Sequence, residues 1–371
     1  MSLNQESQSK SKRIFYLDAL RCLAIIAVIT VHVFMPARSL VLSQYSTFPS
    51  LNWWITDFFV ANRCGVDIFL LLAGALSLGR PWKIKPFLEK RIPRIVFPFL
   101  FWGFILSIGF IVLSYMFPDT IPIVKAFDIK SLIAYIVHAY IADSVGFGPY
   151  WFFWMILGTY LIMPIFNKWL CNAKLTDVEY FLAIWLVTCV FDFTLNHPFI
   201  INLSYFTSPI GLVVCGCYLR HTPRKIFNNI YVPIILIIAG CACTIFGSYW
   251  FSTSHKFFWF NRYSIFLVME VAGLFLLARY LDESNRSFGV FSNPKGIFKR
   301  AVTSIAKYSY GIYLIHNFLV SIVFNPIKIL YPNAPFKLSV LCVFLTALLG
   351  SWAIMAILNR VPHVKNIIGA K

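Results

Sequence analysis

Apolar residues in this chain come in long runs, each about 16–26 residues, separated by short stretches that hold most of the charge. A helix needs about 20 apolar residues to cross the hydrocarbon core of a bilayer. Inside that core every backbone N–H and C=O must be bonded within the protein. Runs of this length and number lead to one class: an all-α, polytopic membrane helical bundle. Ten spans can be drawn, at about 15–36, 54–79, 93–117, 150–170, 179–195, 205–220, 230–250, 262–281, 304–325 and 337–360. Composition agrees. Of the 371 residues 59% are hydrophobic and only 12% charged, about half the charge of a soluble domain.

The net charge of +18 would point to nucleic acid in a soluble protein. Here the basic residues lie mostly at span ends, where they read as topological anchors, and no nucleic-acid partner is expected. With the N-terminus inside, the inner segments hold most of the Lys and Arg, including Lys83, Lys90, Arg91, Arg94, Arg220, Arg224, Lys299, Arg300, Arg360 and Lys365. The outer segments hold few, among them Arg38, Arg63, Lys130 and Arg262. The bias alternates at every loop, which predicts both termini in the cytoplasm and a multi-pass protein of the cell (inner or plasma) membrane. The organisation that follows is a polar N-terminal tail (1–14), a single transmembrane domain (15–360) and a C-terminal tail (361–371).

Lys10, Lys12 and Arg13 before the first apolar run imitate a signal peptide, but Asp18 and Arg21 inside the run argue against cleavage. The nine cysteines form no CxxC pair and no zinc-type spacing with histidine. They read as small packing residues, and no metal is expected. The stretch 118–149 is too long for a simple connection, and residues 130–142 read as a short amphipathic or re-entrant helix. Gly146, Gly148 and Pro149 break the chain before the aromatic run that opens with Tyr150 and Trp151. Those aromatics suit an interfacial belt or, alternatively, a wall for a sugar ring.

Ionisable residues inside spans are costly and normally face a bundle interior or a wet cavity. Arg21 and His32 are eleven apart in the first span. Eleven residues bring a helix back to within roughly 20° of its starting direction and about 16 Å along its axis. Asp18 is placed to pair with Arg21 at i, i+3. His32 has no local carboxylate, and a histidine titrating near neutrality can take a proton from a hydroxyl and return it to a leaving group. His316, about twelve residues into the ninth span, reaches a similar depth, so two histidines could share one site. Arg63 and Asp67 are spaced i, i+4 for pairing in the second span. Arg91 and Arg94 precede the third span, where they could converge on phosphate with help from a helix N-terminus, or simply anchor the helix. Glu270 is a carboxylate within the eighth span, suited to an ion pair with another helix or to proton handling.

Five segments in order, LDALRCLAIIAVITVHV, GVDIFLLLAGALSLG, KRIPRIVFPF, WFFWMILGTYLIMPIF and SYGIYLIH, resemble the acyltransferase 3 family of integral membrane acyltransferases. The last two look most like the branch that contains enterobacterial common antigen and exopolysaccharide O-acyltransferases. One departure is Ala73, in LLLAGALS, where the family more often has a serine. The separate esterase-like domain of some family members is not expected here.

The resemblance implies transfer of an acyl group, most often acetyl, from cytoplasmic acyl-CoA to a hydroxyl of a cell-surface glycan or its lipid-linked precursor. His32 would be the base or a transient acyl carrier, with His316 as a second catalytic candidate. Arg21 would position the donor or stabilise charge on it, and Arg91 and Arg94 would hold its phosphates. Arg63, Asp67, Tyr150 and Trp151 would contact the acceptor. The distance from Arg21 to His32 is comparable to an extended pantetheine arm, so acetyl-CoA could keep its nucleotide inside while its thioester reaches the histidine. The competing readings are a transporter or flippase for a polysaccharide intermediate, and a non-catalytic subunit of a surface-polymer machine.

Overall fold

The computed structural model describes residues 14–42, 50–116, 129–141, 150–197, 204–251, 259–284, 296–330 and 334–370. Among these the chain is helical throughout, with no strand. The helices are α1 (Phe15–Leu42), α2 (Leu51–Ala61), α3 (Gly65–Ser77), α4 (Ile84–Met116), α5 (Ile129–Ile141), α6 (Tyr150–Asn172), α7 (Leu175–Val190), α8 (Ser204–His221), α9 (Tyr231–Phe251), α10 (Ile265–Glu283), α11 (Ile297–Leu330), α12 (Phe336–Leu345) and α13 (Ser351–Leu358). Short π-helical turns prolong α7 and join α12 to α13.

Among the described residues, seven stretches are long and apolar enough to cross a membrane: α1, α2 with α3, α4, α6, α7 with its π turn, α9, and α12 with α13. The three other expected spans fall on α8, α10 and α11. These are more polar: α10 carries Glu270, Arg279, Asp282 and Glu283, and α11 begins with Lys299, Arg300 and Lys307. The outward faces of the apolar helices fit lipid rather than water. Along α4, Phe97, Leu100, Phe104, Ile105, Ile108 and Val112 are exposed and form a helical stripe of large apolar side chains.

α1 is the central post, packed against α2, α3, α10, α11 and α12. Its Ala24, Ile25, Ile29 and Val33 are fully buried, and its Pro36 is accommodated within the helix. Lipid tails are as apolar as a leucine core, so helix association here depends on close packing and small residues. α3 and α8 show this directly. A Cβ on Gly74 would lie 1.7 Å from the Val213 carbonyl oxygen, and one on Gly216 would lie 2.0 Å from that of Leu71. The two backbones therefore meet through reciprocal glycines.

The second expected span is not one helix. It breaks at residues 62–64, where the Asn62 side chain donates to the Phe58 carbonyl at 2.9 Å and the Cys64 amide donates to the Asn62 carbonyl at 2.9 Å. After α3, the turn at Gly79 (φ +75°) is held by Asn167 of α6, which accepts from the Gly79 amide and donates to the Arg80 carbonyl, both at 2.9 Å. The short helix expected at 130–142 is α5. It lies on α4 with the Tyr140 hydroxyl donating to the Leu100 carbonyl at 2.7 Å. Gly146, Gly148 and Pro149 are outside the described residues. The cysteines are free thiols; Cys22, Cys64, Cys189, Cys215 and Cys217 are buried, whereas Cys243 and Cys342 are exposed.

Candidate functional site

Arg21 and His32 lie on one stripe of α1. The Arg21 guanidinium donates to Asp18 at 3.0 Å, the expected i, i+3 pair, and Asp18 is buried. Pairing lowers the cost of holding either charge in the bundle. Farther along, His32 Nδ1 lies 2.9 Å from the Val28 carbonyl oxygen one turn back. α11 crosses α1 at this level and supplies His316, whose side chain is completely enclosed. His316 Nδ1 sits 2.7 Å from the Tyr313 carbonyl and 3.2 Å from that of Ile312, and its Nε2 lies 3.3 Å from His32 Nδ1. The rings meet edge to face, with centroids 4.9 Å apart.

These acceptors assign the tautomers. A carbonyl only accepts, so His316 carries its proton on Nδ1 and offers the Nε2 lone pair. His32 Nδ1–H is then shared between the Val28 carbonyl and His316 Nε2. That leaves the lone pair of His32 on Nε2. His32 is part of the wall of a cavity of about 460 Å³, shared with Met35, Pro36, Arg38, Asn317 and Ser321.

A second cavity, of about 400 Å³, opens toward the other end of the stripe. Its charged lining is Arg21, Arg91, Arg94 and Lys365. Ser77 accepts a hydrogen bond from Arg91 at 3.1 Å, and the Trp82 indole donates to the Ser77 carbonyl at 2.8 Å. The Asn167 clamp on the following turn thus also positions the partner of Arg91. Tyr313 belongs to this cavity and stands 5.8 Å, ring to ring, from His316. It is a direct link from the arginine cavity to the histidine pair.

Several expected site residues lie elsewhere. α4 starts at Ile84, so Arg91 and Arg94 sit two to three turns inside it rather than at its N-terminus. The helix-end potential expected to assist them is therefore remote, since that effect is confined to the first turn. Pro86 is compatible with this early start because a first-turn proline forfeits no helical hydrogen bond. Arg63 and Asp67 do not form the expected i, i+4 ion pair. The break at residues 62–64 takes Arg63 out of α3's register, and its guanidinium donates to the Phe260 carbonyl. Both Asp67 carboxylate oxygens are buried without a hydrogen-bond partner. Neither residue lines the two cavities.

Tyr150 is buried against Phe99, with ring centroids 4.9 Å apart, and Trp151 stacks under the Arg262 guanidinium at 3.7 Å. They do not wall the His32 cavity, because the start of α6 turns onto α4, where Phe153 stacks on Phe99 at 3.6 Å. The aromatic segment instead sends Phe152, Ile156 and Tyr160 into the arginine cavity. Glu270 faces the thiols of Cys64 and Cys241 rather than a cation.

Sequence reasoning passed over Ser77, Asn167, Tyr313 and the C-terminal residues. An asparagine in the apolar run MPIFNKW was an available signal for Asn167. Ser77 stands one turn after Ala73, the position that departs from the family pattern, and both line the arginine cavity.

The sequence profile of the acyltransferase 3 family, described as an acyltransferase domain, matches residues 14–356. No curated protein and no solved structure matches the chain. The family match runs from the residue before α1 into α13 and takes in every residue of the histidine pair and all three cavity arginines. The chain belongs to the acyltransferase 3 family and is a multi-pass membrane acyltransferase.

Proposed function

We propose that this protein is an O-acyltransferase, in the first instance an O-acetyltransferase. It moves the acyl group of cytoplasmic acetyl-CoA to a hydroxyl of a cell-surface glycan or its lipid-linked precursor. The observation that carries the reading is the pair of cavities on one stripe of α1, one cationic at Arg21, Arg91 and Arg94, the other at His32. A polyanionic donor suits the first and a neutral hydroxyl suits the second. The charge bias of the loops supports a cytoplasmic N-terminus, and with that orientation the arginine cavity faces the cytoplasm, where acyl-CoA is found.

In this reading His32 Nε2 removes the acceptor's hydroxyl proton as the oxygen attacks the thioester carbonyl. The imidazolium that forms is stabilised by donating Nδ1–H to His316 Nε2 and the Val28 carbonyl. Collapse of the tetrahedral intermediate breaks the C–S bond, and His32 returns the proton to the CoA sulfur. The products are the acyl ester and free CoA. His316 touches neither substrate and acts as a positioning residue for His32. Arg21, Arg91 and Arg94 hold donor phosphates by charge-assisted hydrogen bonds.

The test is transfer of label from radiolabelled acetyl-CoA into the glycan fraction of membranes, comparing wild type with His32→Ala at matched expression. Incorporation that is lost with His32→Ala supports the reading. Incorporation that survives the substitution removes His32 from the chemistry. No incorporation from any of several acyl-CoAs, with folded protein, overturns the proposed donor and acceptor.

A further inference from the structure

Residues 363–370 run beside the arginine cavity, and four of them line it. His363 (φ +68°) turns the backbone, Val364–Asn366 form one 3-10 turn, and the chain then runs back along α4 and α11. Ile368 is completely buried, and its carbonyl accepts from the Trp102 indole of α4 at 3.1 Å. Gly369 adopts φ +86°, a conformation that favours glycine, and a Cβ there would sit 3.0 Å from the Tyr310 ring and 3.2 Å from the Gly311 amide. Gly311 completes the fit from the other side, since a Cβ on it would lie 2.8 Å from the Ile368 carbonyl oxygen. Two glycines and one indole hydrogen bond therefore seat this segment.

Its seat is beside the candidate donor site. Lys365, Asn366, Gly369 and Ala370 line the same cavity as Arg21, Arg91 and Arg94. These residues follow the stretch matched by the family profile, which ends at residue 356. Lys365 is exposed and adds a fourth cation to a cavity in which Arg21 already has Asp18 as partner. Clustered cations of this kind suit a ligand with several phosphates.

We propose that residues 364–370 form part of the donor-binding site and that Lys365 binds a phosphate of the CoA nucleotide. This rests on the reading of acyl-CoA as donor. The segment closes one side of the cavity, and Trp102 acts on the donor through the seat it gives Ile368. Lys365 is a flexible point charge at the mouth of the site, so its contribution is in affinity rather than in the chemical step.

The experiment is calorimetric titration of the full-length protein in lipid nanodiscs with CoA and, separately, with pantetheine, which lacks the nucleotide phosphates. Wild type, Lys365→Gln, Lys365→Arg and Trp102→Phe are compared. Lys365→Gln is expected to weaken CoA about three- to tenfold and leave pantetheine unchanged, as fits one exposed charged contact. Lys365→Arg restores most of the affinity. Trp102→Phe weakens CoA in the same direction by loosening the segment. Equal CoA affinity in wild type and Lys365→Gln overturns the role of Lys365 while the donor reading stands. Equal loss for CoA and pantetheine overturns the phosphate contact in favour of a general structural effect. Wild type that binds no CoA overturns the donor reading itself and this inference with it.

Discussion

His316 Nε2 lies 3.3 Å from His32 Nδ1, although the two residues are 284 positions apart. Each ring is also pinned by the carbonyls of its own helix, at 2.9 Å for His32 and 2.7 Å for His316. The pair therefore has one consistent proton arrangement. His316 accepts from His32, and the remaining lone pair is His32 Nε2. If the two act as a unit, their losses overlap. His32→Ala should lower kcat by about 10²–10⁴, the usual worth of a general base. His316→Ala should lower it less, by about tenfold to a hundredfold, with little change in the KM for donor. The double variant should be no slower than His32→Ala. Steady-state transfer assays on the four proteins check this, and fully multiplicative losses would falsify the coupled pair.

Ser77 is the hydroxyl partner of Arg91 at 3.1 Å. Ser77→Ala leaves the guanidinium in the cavity but removes the bond that orients it. The KM for acyl-CoA should rise about three- to tenfold with kcat nearly unchanged, in line with one hydrogen bond to a charged group. A fall in kcat at unchanged KM would assign Ser77 to the chemical step instead.

Tyr313 links the arginine cavity to the histidine pair, buried against Phe152 and the His316 ring. Tyr313→Ala removes that ring. In the proposed mechanism the acyl arm passes this ring to bring its thioester to His32, so the space left by the ring should admit water around the thioester, and acetyl-CoA hydrolysis without acceptor should rise severalfold while glycan transfer falls. Free CoA released in the absence of glycan measures it. Unchanged hydrolysis would show that water is kept from the thioester by something other than this ring.

The contact of α3 with α8 leaves no room for a side chain at Gly74, where a Cβ would come within 1.7 Å of backbone oxygen. Gly74→Val should force the helices apart at a cost of about 1–3 kcal/mol or more. Thermal unfolding in detergent should show a Tm several degrees lower. Gly158, with nothing within 4 Å of its added Cβ, provides the control: Gly158→Ala should leave Tm unchanged or slightly raised.

The membrane class and the Arg21–His32 stripe were legible because each follows from the pattern along a single segment. A 3.6-residue repeat puts residues eleven apart on one face whatever surrounds the helix. The i, i+3 pair of Asp18 with Arg21 was legible for the same reason. The pairing of Arg63 with Asp67 used the same arithmetic and failed, because hydrogen bonds at Asn62 and Cys64 interrupt the helix that the arithmetic assumed. Tyr150 and Trp151 were placed by their aromatic character alone, and the direction in which α6 leaves its first turn sent them to α4 and to Arg262.

By itself the sequence determined a multi-pass helical protein, its family and the helix that carries both ends of the candidate site. These depend on hydropathy and spacing along a single segment. Only the tertiary structure decided that His316 meets His32, that Ser77 holds Arg91, and that Lys365, Asn366, Gly369 and Ala370 line the arginine cavity. Those contacts join segments far apart in the chain, and the last of them is fitted at Gly311, where a Cβ would lie 2.8 Å from the Ile368 carbonyl oxygen. Backbone separations of that kind arise from packing between helices, which no periodicity within one helix encodes.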